Sequence, residues 1–156
     1  DLNKEYRRQR QMCIRDRKYS MFSIGDTFIS KHYKITEKEI LEFAHQFDPQ
    51  YMHLDKKKAG QGMYKGIIAS GMHTLSLSFK LWIEENKYEE DIIARTHLNN
   101  VTFIKPVYPN DNLYVKVKVL DKKLKKQFGS LTVEVMTFNQ YENKVLQFEL
   151  TVLLSV

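Results

Sequence analysis

The sequence predicts an α+β protein in which an antiparallel sheet of about five strands packs around one long buried helix. Three features indicate this. In the first half of the chain, two segments carry apolar residues at the spacing of a helix. From residue 94 onward, apolar and polar residues alternate instead, and short turn sequences separate the alternating runs. Helices that precede a series of consecutive strands are typical of α+β folds with an antiparallel sheet.

The chain has 156 residues, the length of one domain, but its first 17 residues differ in composition from the rest. Five of the six arginines lie there, and residues 12–17 read MCIRDR, which resembles the translation of a transposase adapter used to build sequencing libraries. Our hypothesis is that at least residues 11–17 are such a scar and that the native protein starts near Met21. A real, disordered basic tail over residues 1–17 is the alternative. We therefore assign the folded domain to residues 18–156.

The first helix is predicted over residues 37–47, after a loosely alternating segment, residues 27–35, that predicts a strand. Thr36 and Glu39 form a capping box, in which Thr36 is the N-cap and Glu39 reaches back to it. The helix ends at Asp48, because the residue before a proline avoids helical dihedral angles.

The second helix is predicted from near Ser70-Gly71 to about Lys87. Its apolar residues cover much of its circumference, which is typical of a buried helix. Four strands follow, over residues 96–104, 112–121, 130–140 and 144–154. One long helix against a curved sheet of this size describes a hot-dog fold. Such a sheet leaves an open edge, which dimerisation would cover.

The composition excludes several classes of function. The net charge of +6 falls to +3 when residues 1–17 are left out, so it does not indicate a nucleic-acid partner. One cysteine cannot form a disulfide framework or a cysteine zinc site within the chain, and no pair of histidines has ligand spacing with a third partner. We expect no metal and no cofactor. No apolar run approaches the roughly 20 residues that cross a membrane, so we expect no membrane partner and a cytoplasmic protein.

One candidate for chemistry is the segment 47–55, which reads FDPQYMHLD. It places Asp48 just beyond the end of the first helix and His53 five residues later, across a proline turn. An aspartate exchanges a proton and a histidine titrates near neutrality, so the two side chains could hold one water between them. The spacing alone, without further context, favours an ordinary Asp-Pro turn followed by a surface or core histidine.

The second candidate is the segment 67–74, IIASGMHT, at the start of the buried helix. A helix start leaves backbone N–H groups without carbonyl partners, and such groups can bind a developing oxyanion. Gly71 would supply one of them. The alternative is that Gly71 only allows tight packing.

Together the two segments resemble the MaoC-like dehydratase family, which includes (R)-specific enoyl-CoA hydratases. The family carries an Asp, a His five residues later, and about 18 residues beyond it a helix start of aliphatic, small, Gly and Met or Trp residues. Asp48, His53 and residues 68–72 match that pattern. Residues 101–111, which read VTFIKPVYPND, resemble the family's strand followed by a Pro-Val-x-Pro-Gly-Asp turn. The resemblance spans roughly residues 22–154 and implies a hot-dog fold.

The resemblance also implies roles for individual residues. Asp48 and His53 would bind and activate a water, which adds across the double bond of a trans-2-enoyl thioester. The N–H of Gly71 would stabilise the enolate oxygen, and Ser76 would orient the aspartate. Further substrate contacts are expected among Ser70, Met72, His73 and Tyr51. For His73 the alternative is a packing role.

The implied substrate is a thioester of coenzyme A or of acyl carrier protein, and the implied assembly is a homodimer or a higher homo-oligomer. Tyr51 stands where the most similar subgroup has proline, which leaves the turn shape and the choice of substrate open. Two other functions stay open, the first because hot-dog folds also host thioesterase chemistry and the second because of the departures near Tyr51. One is a hot-dog acyl-CoA thioesterase, and the other is a non-catalytic hot-dog protein that binds acyl-CoA.

Overall fold

The computed structural model describes residues 18–156, and the sequencing-adapter scar predicted within residues 1–17 lies outside the described residues. A 3-10 helix over Tyr19–Met21 leads into the fold. The helices that follow are α1 (Glu37–Phe47), α2 (Tyr51–Leu54), α3 (Lys56–Gln61) and α4 (Gly71–Glu84). The strands are β1 (Thr27–Ile29), β2 (Tyr33–Lys34), β3 (Ile92–Phe103), β4 (Asn112–Lys125), β5 (Phe128–Phe138) and β6 (Lys144–Ser155).

The strands form one antiparallel sheet in the order β1-β4-β5-β6-β3, and the short β2 also pairs with β4. This architecture confirms the predicted α+β fold and its antiparallel sheet of about five strands. The strand predicted over residues 27–35 is divided in two. Residues 30–32 separate the halves, and there the Ser30 hydroxyl, 2.9 Å from the backbone nitrogen of Val115, accepts that N–H in place of a backbone carbonyl.

The core lies between α4 and the inner face of the sheet. Alternate residues of β4, β5 and β6 point inward and are almost fully buried, as the alternation in the sequence predicts: Val115, Val117, Val133, Val135, Phe148 and Leu150. The helix contributes Leu75, Leu77, Leu81 and Trp82. The prediction of a long buried helix is therefore confirmed, although α4 ends at Glu84 rather than at about Lys87.

Helix α1 has the predicted bounds, and the hydroxyl of Thr36 accepts the backbone N–H of Glu39 at 3.2 Å. The second half of the predicted capping box is different. The Glu39 carboxylate accepts a hydrogen bond from the phenol of Tyr33 at 2.7 Å, because β2 brings that donor next to it. Helix α1 ends as predicted, and Asp48 is its C-cap.

Strand β3 is an edge of the sheet, since within residues 18–156 it pairs only with β6. Most of its residues are exposed, including three large apolar side chains: Ile93, Leu98 and Phe103 are 50%, 42% and 55% exposed. The fold therefore has the open edge that the sequence predicts.

Candidate active site

A cavity of about 360 Å³ opens at the N-terminal end of α4. Most of its lining comes from the segment after α1, residues 68–74 at the start of α4, and residues 103–107 at and beyond the end of β3. Tyr64 and Val145 complete the lining. Asp48, His53 and Gly71 all line it. The structure thus brings together the two segments that the sequence singles out.

Asp48 lies at the cavity wall and accepts two hydrogen bonds. The Ser70 hydroxyl donates to Oδ2 at 2.6 Å, and the Gln50 amide donates to Oδ1 at 2.7 Å. These two bonds, in that order of importance, hold the pKa of the Asp48 carboxyl below its usual value of 3.8, and the nearby His53 acts in the same direction. Partial burial opposes them without cancelling them. Asp48 is therefore a carboxylate at neutral pH.

His53 is buried and its orientation is fixed by a backbone group. Its Nδ1 lies 2.7 Å from the carbonyl oxygen of Ile68. A carbonyl only accepts hydrogen bonds, so Nδ1 carries a proton, and the tautomer with this proton has its lone pair on Nε2. Nε2 lies 3.6 Å from Oδ2 of Asp48, which is too long for a direct hydrogen bond. Both atoms are therefore free to contact the same small molecule.

Gly71 is the first residue of α4, and its N–H has no carbonyl partner inside the helix. The adjacent N–H of Met72 is capped by the Ser70 hydroxyl at 3.2 Å. Gly71 also meets a packing requirement. A Cβ atom at this position would lie 2.6 Å from Cε1 of Phe103, closer than carbon atoms approach one another. The geometry is compatible with both interpretations of Gly71, as an oxyanion donor and as a close-packing residue.

One extended segment, residues 68–71, joins these parts. Its first residue, Ile68, accepts from the His53 ring, and the N–H of Ala69 donates to the carbonyl of Val107 at 2.8 Å. Ser70 then contacts Asp48, and Gly71 begins α4. Four consecutive residues therefore contact or form every functional element of the cavity.

Two of the residues expected at the site, Ser76 and Tyr51, lie outside the cavity lining. Ser76 is exposed, because five residues of helix turn it about 140° away from Gly71. The hydroxyl that contacts Asp48 belongs to Ser70 instead. The Tyr51 side chain is 44% exposed and lies beside Lys58, whose Nζ is 5.1 Å from the ring centroid. Neither Ser76 nor Tyr51 lines the cavity, whereas Met72 does.

His73 also lies outside the cavity lining and packs against α1. Its ring stacks on Phe43 with centroids 4.6 Å apart and planes 9° from parallel. Its Nδ1 is buried and has no hydrogen-bond partner among residues 18–156. Burial lowers the pKa of His73 below its usual 6.5, and Glu39 opposes that shift. The arrangement matches the packing role that the sequence left open for this residue.

Several cavity residues were not predicted from the sequence. Gln50 donates to Asp48, and the carbonyl of Ile68 fixes His53, although both residues belong to the candidate segments 47–55 and 67–74. Phe103 and Lys105 complete much of the wall. Phe103 and Lys105 lie inside the strand-and-turn segment that resembles the family, so that segment carried a usable signal.

Among residues 18–156, no group of three or more His, Cys, Asp or Glu side chains is placed to hold a metal ion. In the same range, no helix combines the length and the hydropathy needed to cross a bilayer.

The arrangement can move a proton and stabilise a negative oxygen at the same place. A carboxylate and an imidazole lone pair face one small volume, which suits general acid–base chemistry on a water or hydroxyl group. The first turn of α4 presents backbone N–H groups beside it, which suits an oxyanion.

The comparisons with known proteins agree with this geometry. The MaoC like domain family matches residues 21–140. Among curated relatives, the uncharacterized protein YdeM of Bacillus subtilis (strain 168) is 54% identical over 138 residues, which are 88% of this chain and 98% of that protein. Protein MaoC of Klebsiella aerogenes is 28% identical over 104 residues, 66% of this chain and 30% of that longer protein.

Solved structures show the same likeness. The MaoC-like dehydratase from Rhodospirillum rubrum is 27% identical and superposes with a TM-score of 0.79 over 87% of this chain and 94% of its own. The R-hydratase PhaJ1 from Pseudomonas aeruginosa is 26% identical, with a TM-score of 0.68 over 86% of this chain and 83% of its own. With the family match over residues 21–140, these likenesses show that the chain belongs to the MaoC-like dehydratase family and has its hot-dog fold.

Proposed function

We propose that the protein is a hydro-lyase that adds water to a trans-2-enoyl thioester, giving an (R)-3-hydroxyacyl thioester, or catalyses the reverse dehydration. One observation carries the proposal. The Asp48 carboxylate and Nε2 of His53 lie 3.6 Å apart on one cavity wall, beside the first turn of α4. The similarity to MaoC-like dehydratases and to an R-hydratase supports it. Coenzyme A or acyl carrier protein carries the acyl group.

In the hydration direction, the first event is attack by water on the β-carbon. Asp48 accepts a proton from the water, since its lowered pKa keeps it ionised, and the lone pair on Nε2 of His53 holds the second water hydrogen. As the C–O bond forms, the electron pair of the double bond moves towards the thioester oxygen. The N–H of Gly71 stabilises the charge that develops there.

The reaction is completed when the proton held by Asp48 passes to the α-carbon. The hydroxyl group and the proton both come from one water held by one pair of side chains, so they add to the same face of the double bond. Positioned acid–base groups contribute about 10²–10⁴-fold and one oxyanion donor about 10²–10³-fold. Dehydration follows the same steps in reverse.

A turnover assay tests the proposal. The protein is mixed with trans-2-butenoyl-CoA, and loss of the ultraviolet absorbance of the conjugated thioester is followed. We expect turnover by the wild type and a fall of at least about 10² with Asp48→Asn, which removes the proton acceptor. Asp121→Asn is the matched control, because Asp121 lies on β4 and pairs with Lys123 at 3.8 Å outside the cavity.

The products separate the proposal from its alternatives. Release of free thiol would identify a thioesterase and contradict the hydratase proposal. Binding of acyl-CoA with no turnover across short and medium chains would favour the non-catalytic protein. Equal rates for Asp48→Asn and wild type would show that Asp48 is not the proton acceptor and would contradict the proposal.

We further propose that a second copy of the chain covers the open edge at β3. An edge strand carries unpaired N–H and C=O groups, and here it also exposes apolar side chains such as Leu98. Light scattering during gel filtration is expected to give twice the mass of one chain. Leu98→Lys should shift the mass towards the monomer. Leu124→Lys, at a position 68% exposed in the β4–β5 hairpin, should not.

A further inference from the structure

Phe103 stands out among the residues that line the cavity. It is the last residue of β3, and its backbone pairs with Leu146 of β6. Its side chain lies on the helix side of the sheet, yet it is 55% exposed. The exposed ring faces the cavity and its opening, whereas Val107 and Val145 on the same wall are only 3% and 2% exposed.

The ring of Phe103 occupies space that is available only because Gly71 has no side chain. A Cβ at Gly71 would lie 2.6 Å from Cε1 and 2.7 Å from Cδ1 of the ring. The ring therefore rests directly on the backbone of the first residue of α4. In the proposed reaction this is the residue whose N–H holds the thioester oxygen, so the ring flanks the carbonyl carbon and the α-carbon attached to it.

Asp48 and His53 line the same volume as the Phe103 ring. An acyl group whose β-carbon faces those two side chains and whose oxygen faces Gly71 has the Phe103 ring along its remaining side. A benzyl side chain is stiff, because only two torsions describe it, so the Phe103 ring adapts its shape less than the flexible side chain of Met72, which is also exposed at this wall. The position of the ring therefore determines how large a substituent on the α-carbon can be.

We infer that Phe103 is a specificity-determining residue, which admits unbranched 2-enoyl groups and excludes those with a substituent on the α-carbon. The inference rests on the proposed hydratase function for the identity of the substrate. One methyl group more or less in an apolar pocket changes kcat/KM by about 10–200-fold. Truncating the ring should recover a factor in that range for a 2-methyl substrate.

The experiment compares wild type, Phe103→Ala, Phe103→Leu and Phe128→Ala on trans-2-butenoyl-CoA and on 2-methyl-trans-2-butenoyl-CoA. We expect Phe103→Ala to raise the ratio of kcat/KM for the branched over the unbranched substrate at least tenfold, and Phe103→Leu to raise it less. Phe128→Ala makes the same change at the start of β5, at the other end of the sheet and outside the cavity, and should leave the ratio unchanged. Thermal unfolding and light scattering establish that each variant is folded and has the wild-type assembly state.

A second measurement does not need turnover. Calorimetry gives the Kd of butanoyl-CoA and of 2-methylbutanoyl-CoA for the same four proteins, and the ratio of the two should change with Phe103 as the kinetic ratio does. An active wild type whose kinetic and binding ratios are both unmoved by Phe103→Ala overturns the role of Phe103 alone. A wild type that binds both thioesters but hydrates neither overturns the proposed function, and the binding ratios then decide the role of Phe103. A wild type that binds neither overturns both.

Discussion

The hydroxyl oxygen of Ser70 lies 2.6 Å from Oδ2 of Asp48. The same oxygen accepts the backbone N–H of Met72 at 3.2 Å. One small side chain therefore holds the carboxylate of the cavity and caps the helix that forms the other side of it. The two functions of Ser70 make separate, measurable contributions.

We expect Ser70→Ala to raise the pKa of Asp48 towards its usual 3.8, because it removes the largest cause of the lowering. Hydrogen bonds to charged groups are worth about 1.5–3 kcal/mol, and an N-cap about 1 kcal/mol. A lowered carboxyl pKa stabilises the fold above the usual value, and this stabilisation is lost as the pH falls through the lowered pKa. The difference in free energy of unfolding between wild type and Ser70→Ala should thus be largest near pH 7 and shrink below about pH 3.8.

Carbon NMR of the Asp48 carboxyl group measures the pKa shift, and urea unfolding at pH 7 and pH 3 measures the stability. Gln50→Ala is the control, since it removes the other hydrogen bond to Asp48 but leaves the cap of α4 intact. It should raise the pKa of Asp48 by less and cost less stability. An Asp48 carboxyl that titrates alike in wild type and Ser70→Ala would contradict the assignment.

Gly71→Ala should destabilise the protein by about 1–3 kcal/mol, the usual cost of overpacking, because the added methyl group meets the ring of Phe103. Phe103→Ala removes the clash, so the double variant should be more stable than the sum of the single effects allows, by at least about 0.5 kcal/mol. Chemical unfolding of the four proteins completes the cycle. Gly60→Ala is the control, because no atom of residues 18–156 lies within 4 Å of a Cβ there. Additive effects would show that the contact does not restrict Gly71.

His73 should make stability sensitive to mild acid. Burial lowers its pKa below 6.5, so as the pH falls below about 6.5 the unfolded chain takes up this proton more readily than the folded one. The free energy of unfolding therefore decreases as the pH is lowered through that range. Above that range His73 does not change it. His73→Phe keeps an aromatic ring against Phe43 and does not titrate.

The free energy of unfolding at pH 7.5 and at pH 5.5 should differ less for His73→Phe than for the wild type. His97→Phe removes an exposed imidazole from β3 and should keep the wild-type difference. If His73→Phe kept it as well, the pH dependence would have another source.

Local sequence patterns were sufficient to predict those helices and strands that depend on residues close together in the chain. The bounds of α1 follow from the Thr36 cap and the Asp-Pro stop, and β4, β5 and β6 follow from alternation. The predicted partner of Asp48 was Ser76, whereas the structure has Ser70. Choosing between them requires knowing how residues 68–71 cross the end of α1, a contact 22 residues apart in sequence.

Other features leave no trace in residue types. The acceptor for His53 is a backbone carbonyl, which every residue possesses, so Ile68 gives no signal of its role. The one-turn helix α2 is too short to show a period. Glu39 was expected to complete the capping box. Its carboxylate instead accepts a hydrogen bond from Tyr33, which lies near it only in the folded chain.

The four-residue segment 68–71 has a consequence for how the site opens and closes. Local unfolding occurs in contiguous cooperative units. Here the acceptor for His53, the donor to Asp48 and the proposed oxyanion donor all come from four consecutive residues. Unfolding of residues 68–71 would release all three together, so we expect the site to be lost as one unit. The amide of Ala69, which is bonded to Val107, should then exchange its hydrogen at the rate at which the whole site is lost.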